Sequence, residues 1–152
     1  MYIKELNVQN FKSIADAHIE FNPLTIFVGA NASGKSNLIS VFRFISNIIT
    51  DGVDNAIALQ GGTTYLSNAC LPKGTPIKIS FSLDLSSEGW YRRSENRNIG
   101  LEVKSIDYRF IIKPNLKGSG YRIEYDNLRV AFSCLRIVSP SKKDNKNVEY
   151  LV

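Results

Sequence analysis

Cysteine, histidine and long apolar runs are all scarce in this chain of 152 residues. Two cysteines, Cys70 and Cys134, and one histidine, His18, are too few for a disulfide framework or a Cys/His zinc site. The longest apolar stretches, such as Leu24 to Val28, fall far short of the roughly 20 residues that a membrane-spanning helix needs. The opening Met1-Tyr2-Ile3-Lys4-Glu5 does not lead into a signal-peptide core, so the expected address is cytoplasmic and no membrane contact is expected. Against these shortages stand 43% hydrophobic and 22% charged residues, an ordinary globular balance that argues against disorder.

The net charge of +5 is unevenly spread. Residues 1–70 hold four Lys/Arg against five Asp/Glu, and residues 71–152 hold fifteen against nine. A basic half is compatible with DNA or RNA contact, although scattered Lys and Arg on sheet surfaces commonly serve solubility alone.

Apolar periodicity divides the chain into elements. Leu6 and Val8 alternate with polar neighbours, as do Ala17, Ile19 and Phe21, which predicts two half-buried strands with a short loop between them. Leu24 to Val28 reads as a strand buried on both faces. From Lys35 the period becomes helical, with Leu38, Val41, Phe42, Ile45, Ile48 and Ile49 on one stripe. Asp51-Gly52 supplies a stop, and a short helix around Asp54 to Leu59 is expected beyond it. After Pro76, the residues Ile77, Ile79, Phe81, Leu83 and Leu85 share one strand face. Further alternating runs at Tyr108–Lys113, Tyr121–Asp126 and Leu128–Cys134 predict an antiparallel meander. Ser86 to Gly100 is expected as an exposed loop, Trp90 and Tyr91 anchoring it beside Arg92 and Arg93, and Ser139 to Asn147 as a solvated turn carrying Lys142, Lys143 and Lys146.

Between the apolar run and the helix lies Gly29-Ala30-Asn31-Ala32-Ser33-Gly34-Lys35-Ser36, a complete G-x-x-x-x-G-K-[ST] motif, the Walker A pattern. About 0.006 chance matches are expected for this length and composition, so coincidence is a poor explanation. Gly29 and Gly34 permit backbone torsions and close approaches that a Cβ would obstruct, letting successive N–H groups turn toward a phosphate. The helix that follows points its unpaired first-turn N–H groups at the same anion. Lys35 is the expected catalytic cation, reaching the β- and γ-phosphates of ATP, and the Ser36 hydroxyl is the expected Mg²⁺ ligand.

The run Ile3 to Ser13, containing Asn10-Phe11-Lys12-Ser13, together with Gly29 to Ser36 and the Asn37 that follows, resembles the N-terminal lobe of ABC-type P-loop ATPases of the RecF, SMC and OLD-like group. The likeness covers Met1 to about Asn68, including Gly61-Gly62; beyond Pro76 it is architectural. It implies an ATP site in which Lys12 and Ser13 lie beside the nucleotide and Gln60 stands where relatives place a glutamine near Mg²⁺ and water. It also implies a setting in DNA repair, DNA metabolism or phage defence.

Such a site needs an acidic strand end of the form h-h-h-h-D-E to hold Mg²⁺ through water and orient the attacking water. No segment of this sequence supplies one. Ile79 to Asp84 alternates too strictly to be a fully buried strand, and Leu85-Ser86-Ser87-Glu88-Gly89 matches the L-S-x-G signature only superficially. The expectation is therefore an α/β P-loop half-domain with a mixed β-sheet: a nucleotide-binding lobe over 1–70 and an antiparallel β-subdomain over 71–152. It binds nucleotide better than it hydrolyses it, and it turns over only with a C-terminal ATPase half or a second head, as a homo- or hetero-oligomer. The apolar ending Glu149 to Val152 agrees with a piece of a longer ATPase. The rival expectation is a non-catalytic interaction module whose basic β-sheet binds a partner protein or nucleic acid.

Overall fold

The computed structural model describes residues 2–31, 33–85, 91–93, 99–117, 120–139, 142–144 and 149–151. Trp90, Lys146, Gly118-Ser119 and most of the Leu85–Gly89 phrase lie outside them. The chain opens as a hairpin of β1 (Tyr2–Phe11) and β2 (Ile14–Glu20), whose two-residue turn is Lys12-Ser13. After the phosphate-loop motif comes the helix α1 (Lys35–Leu59), and then a single turn, α2 (Thr63–Leu66). The remaining strands are β3 (Ile77–Asp84), β4 (Tyr91–Arg93), β5 (Ile99–Pro114), β6 (Tyr121–Ser139), β7 (Lys142–Asp144) and β8 (Glu149–Leu151). They form one sheet in the order β2-β1-β3-β5-β6-β7, with β4 paired to β5 and β8 to β6.

Alternation explains the pairing. Leu6 faces Ile19 on one neighbour and Phe81 on the other, and Val8 faces Ala17 and Ile79, so one face of the sheet is apolar across several strands. Because β1 pairs with β3 from Tyr2↔Asp84 to Gln9↔Lys78, segments 1–70 and 71–152 share one sheet and one core. Every pairing among the described residues is antiparallel. The strand that would have made the sheet mixed, Leu24 to Val28, is unpaired, with Leu24, Ile26 and Val28 exposed at 80, 75 and 92%. A strand apolar on both faces needs hydrogen-bonded neighbours and a layer above and below, and the described residues provide neither.

Helix α1 covers the apolar sheet face. Phe44, fully buried, stands 5.6 Å from the ring of Phe11 on β1 and 6.5 Å from that of Phe110 on β5. Phe110, Tyr108 and Phe81 extend the stack, with centroid separations of 5.5 and 5.8 Å. The predicted stripe is partly corrected: Leu38, Val41 and Ile45 are buried and Phe42 and Ile48 pack at the margin, but Ile49 is 71% exposed and Phe44 does the central packing. At Gly52 the backbone leaves helical values (φ 83°, ψ 165°), and the helix resumes to Leu59, which matches the expected stop and short second helix.

Two loops of the sequence reading are also corrected. Tyr91–Arg93 pairs with Gly100–Glu102, and Lys142–Asp144 pairs with β6, because long β5 and β6 offer open edges where a short extended segment satisfies its backbone groups. Asn127 does not end a strand either: it pairs with Arg109 in an unbroken β6.

A tyrosine fastens the second part of α1 to the sheet. Tyr121 Oη donates to Asp54 Oδ1, and burial together with that carboxylate pushes the phenol up to about 12. A raised pKa means stability that is complete below the ordinary value of 10 and lost as pH rises through 12. Tyr121→Phe should therefore lower the denaturant midpoint at neutral pH, with the gap to wild type closing between pH 10 and 12; a gap independent of pH would contradict the linkage. Phe44→Ala should cost about 3–5 kcal/mol and Ile49→Ala less than about 0.5 kcal/mol by chemical denaturation.

Candidate nucleotide-binding site

The motif lies where α1 begins. Gly34 takes a left-handed conformation (φ 93°, ψ −2°) as the N-cap of α1, without a side-chain cap. Its carbonyl receives the N–H groups of Asn37 and Leu38, both at 3.0 Å, which closes the first helical turn. Upstream, Ser33 N–H donates to Ala30 O at 3.3 Å, so the loop folds back on itself. The first-turn N–H groups of α1 are then those that a helix leaves without an intrahelical partner.

Lys35 returns into this loop. Its Nζ donates to Gly29 O and Ala30 O, each at 2.6 Å, and to Ser33 Oγ at 3.1 Å. A cation is thus held where the loop's carbonyls converge, one residue before the exposed Ser36 hydroxyl. A Cβ on Gly29 would stand 2.8 Å from Ser33 Oγ and 3.7 Å from Lys35 Nζ, pressing on the side chains that the loop gathers. Ala32 lies outside the described residues, and Ala30 and Asn31 are exposed.

The β1–β2 turn flanks the loop. Asn37 Nδ2 donates to Ser13 Oγ, which brings Ser13 and its neighbour Lys12 beside the first turn of α1. Lys12 Nζ rests 5.8 Å from the centroid of the Phe11 ring. Among the described residues no hydrogen bond links Gln60 to the loop: it is the C-cap of α1, and its N–H donates to Ile57 O at 3.1 Å. Among the described residues no cluster of three His, Cys, Asp or Glu side chains could hold a metal. His18 is on the outer sheet face, its Nδ1 2.6 Å from Asn7 Oδ1.

Sequence reasoning missed Asn10. It is 2% exposed, left-handed (φ 58°), and its side chain ties together distant chain segments: Nδ2 donates to Thr75 O at 2.6 Å, and Oδ1 accepts from Asn68 N–H at 2.9 Å. The one available signal is that Asn tolerates positive φ better than other residues with a Cβ.

With this geometry in view, comparison with known proteins is informative. A family model described as an AAA ATPase domain matches residues 1–148. The DNA replication and repair protein RecF of Nostoc punctiforme is 31% identical over 109 residues, 70% of this chain and 27% of RecF. RecF of Thermoanaerobacter sp. (strain X514) is 49% identical over 47 residues, 30% of this chain and 13% of that protein. The chain therefore spans about a quarter or less of the curated relatives it matches. A solved structure from work on the ATP-driven dimerization and DNA-stimulated activation of SMC ATPases superposes with a TM-score of 0.52 at 22% identity, covering 84% of this chain and 72% of that one. That likeness shows the fold, and the resemblance to the RecF and SMC group drawn from Asn10–Ser13 and Gly29–Ser36 is borne out. No helix among the described residues is long and apolar enough to cross a membrane. The chain belongs to the AAA ATPase domain family.

Proposed function

We propose that this chain binds ATP with Mg²⁺ through residues 29–36, as the N-terminal half of an ABC-type ATPase head acting in DNA repair, DNA metabolism or defence against foreign DNA. The observation that carries the reading is the Lys35 ammonium held on Gly29 O and Ala30 O at the start of α1. Carbonyl contacts of this kind are exchangeable for phosphate oxygens, which are stronger, charge-assisted acceptors. Gly34 starts α1 directly after the loop, so an anion held by residues 29–36 would meet the unpaired N–H groups of the helix terminus. Ser36 would hold Mg²⁺, which neutralises phosphate charge when bound. Ser13 and Lys12 would line the flank.

The same reading accounts for Leu24 to Val28. This segment leads straight into Gly29, and its exposed Leu24, Ile26 and Val28 suit pairing with strands of a C-terminal half or another polypeptide. That part would also supply the acidic strand end lacking from this sequence, so turnover by this chain alone is expected to be negligible.

One feature favours the second reading, an interaction module. The solvent face of the sheet has a cleft of about 260 Å³ in which Arg109 stacks on Tyr125 at 5.5 Å beside Arg129. Among the described residues Arg109 and Arg129 have no carboxylate within ion-pair distance.

Calorimetric titration with Mg-ATP separates the two. Lys35→Ala should abolish binding and the nucleotide-induced rise in melting temperature, and Gly29→Ala should weaken binding at least tenfold while leaving the ligand-free melting temperature unchanged. Wild-type chain that shows neither heat nor thermal shift would defeat the nucleotide reading and leave the interaction module.

A further inference from the structure

A cavity of about 350 Å³ lies between the connection 63–74 and the β5–β6 turn, and it shares no lining residue with the phosphate loop. Its size falls in the range of roughly 300–1,000 Å³ that small-molecule sites occupy. Backbone bonds shape its walls: Leu71 N–H donates to Asn68 O at 3.2 Å, Thr75 N–H to Pro72 O at 3.1 Å, and Asn115 N–H to Gly120 O at 2.9 Å. Gly74 is left-handed (φ 78°), and a Cβ on it would press on Leu116 Cδ2 at 2.6 Å, so the glycine lets the two walls meet.

Leu71, Pro72, Pro114 and Leu116 give the cavity its apolar surface, and Leu116, 73% exposed, serves no core. Asn68 adds a directed donor. It is 6% exposed, and its Oδ1 accepts from Cys70 N–H at 2.9 Å, which fixes the amide and leaves Nδ2 without a hydrogen-bond partner among the described residues. No fully buried side-chain polar atom among those residues is unsatisfied, so Nδ2 reaches accessible space, and the space that Asn68 lines is this cavity. Lys73, also on the lining, is exposed and has no ion-pair partner among the described residues. The lining includes no Asp or Glu. An amide donor and an ammonium without an acid beside them select an acceptor that carries negative charge, and apolar walls select hydrocarbon next to it.

We propose that this cavity binds a small carboxylate with an apolar body, its charge on Asn68 Nδ2 and Lys73 and its hydrocarbon against Leu71, Pro114 and Leu116. A free phosphate would satisfy the cation and leave the apolar walls wet. A neutral hydrocarbon would leave the amide and the ammonium unmatched. Because Asn10 Oδ1 holds the Asn68 N–H, the donor stands on a fixed backbone, and an occupant fastens the connection to the β5–β6 turn. No residue from 29 to 36 takes part, so the site stands apart from the nucleotide reading.

Calorimetric titration and melting temperature of the full chain, with hexanoate as the probe, test the site. Wild type should bind hexanoate saturably, with a rise in melting temperature. Hexanamide, which keeps the body without the charge, and acetate, which keeps the charge without the body, should each bind at least about tenfold more weakly. Lys73→Gln should weaken hexanoate binding about tenfold and Leu116→Ala about fivefold. Both side chains are exposed, so the ligand-free melting temperature should not move. Asn68→Asp keeps the acceptor for Cys70 N–H and sets a carboxylate against that of the ligand, so it should abolish binding. Lys35→Ala should leave it unchanged. A peptide ending in leucine distinguishes the source: binding tighter than that of hexanoate and lost on C-terminal amidation supports the site and assigns a chain terminus, whereas weaker binding supports it and assigns a free small carboxylate. Absence of saturable hexanoate binding by wild type, equal affinity for hexanamide, full affinity in both Lys73→Gln and Leu116→Ala, or loss of binding in Lys35→Ala would overturn the proposal.

Discussion

The packing of Phe44 between Phe11 and Phe110 is the contact on which the remaining geometry depends. It seats α1 on the sheet through rings from β1 and β5, strands that are not neighbours, so the helix bridges β3 and cannot slide without breaking two aromatic contacts at once. A helix anchored in this way presents its N-terminus at a defined place. The phosphate loop has little buried surface of its own: residues 22–31 are exposed wherever they are described. Its shape follows from Gly34, from the ammonium of Lys35 and from the helix behind it, so the precision of an exposed site is borrowed from a buried core.

That division explains what was legible in the sequence. The Gly29–Ser36 spacing is a local code, because every group that shapes the loop lies within eight residues. The alternations Leu6/Val8 and Ile77/Ile79/Phe81 were equally readable, since a sheet with one wet face imposes period two on its strands. The stripe of α1 was legible except at two places: Ile49 fits the helical period but is exposed, and the rings on the sheet select Phe44, because sequence spacing alone does not show where partners stand. The strands at 91–93 and 142–144 were hidden for a related reason. Both are short and polar, and they pair because neighbouring β5 and β6 extend further than their apolar alternation indicates.

Asn10 shows the limit more sharply. Its partners, Asn68 and Thr75, are separated from it by more than fifty residues, and no periodicity encodes a buried amide that joins a hairpin to a distant connection. Burying an amide is unfavourable unless its groups are satisfied, and here both ends are, so the residue specifies geometry where an apolar side chain would supply burial alone. Asn10 fixes the turn from below and Asn37 fixes it from beside the loop. Two asparagines that look interchangeable in composition thus perform opposite parts of one task, one in the core and one at the surface.

The exposed segment Leu24 to Val28 ties folding to function in the other direction. It is covalently joined to Gly29, and the Phe27 ring lies 6.0 Å from that of Phe21, which in turn stands 5.9 Å from that of Phe42. The downstream end of the loop is fixed by a packed helix, whereas the segment upstream of it, 24–28, has no strand partner among the described residues. Any strand that pairs with 24–28 removes conformational freedom from the upstream end, and an anion gathered by the loop restricts the same residues. Two ligands that order one segment each lower the entropy cost met by the other, so on the proposed reading pairing and nucleotide binding are positively linked, each strengthening the other equally. On the proposed reading, assembly of the complete head and capture of ATP are therefore two faces of a single ordering step.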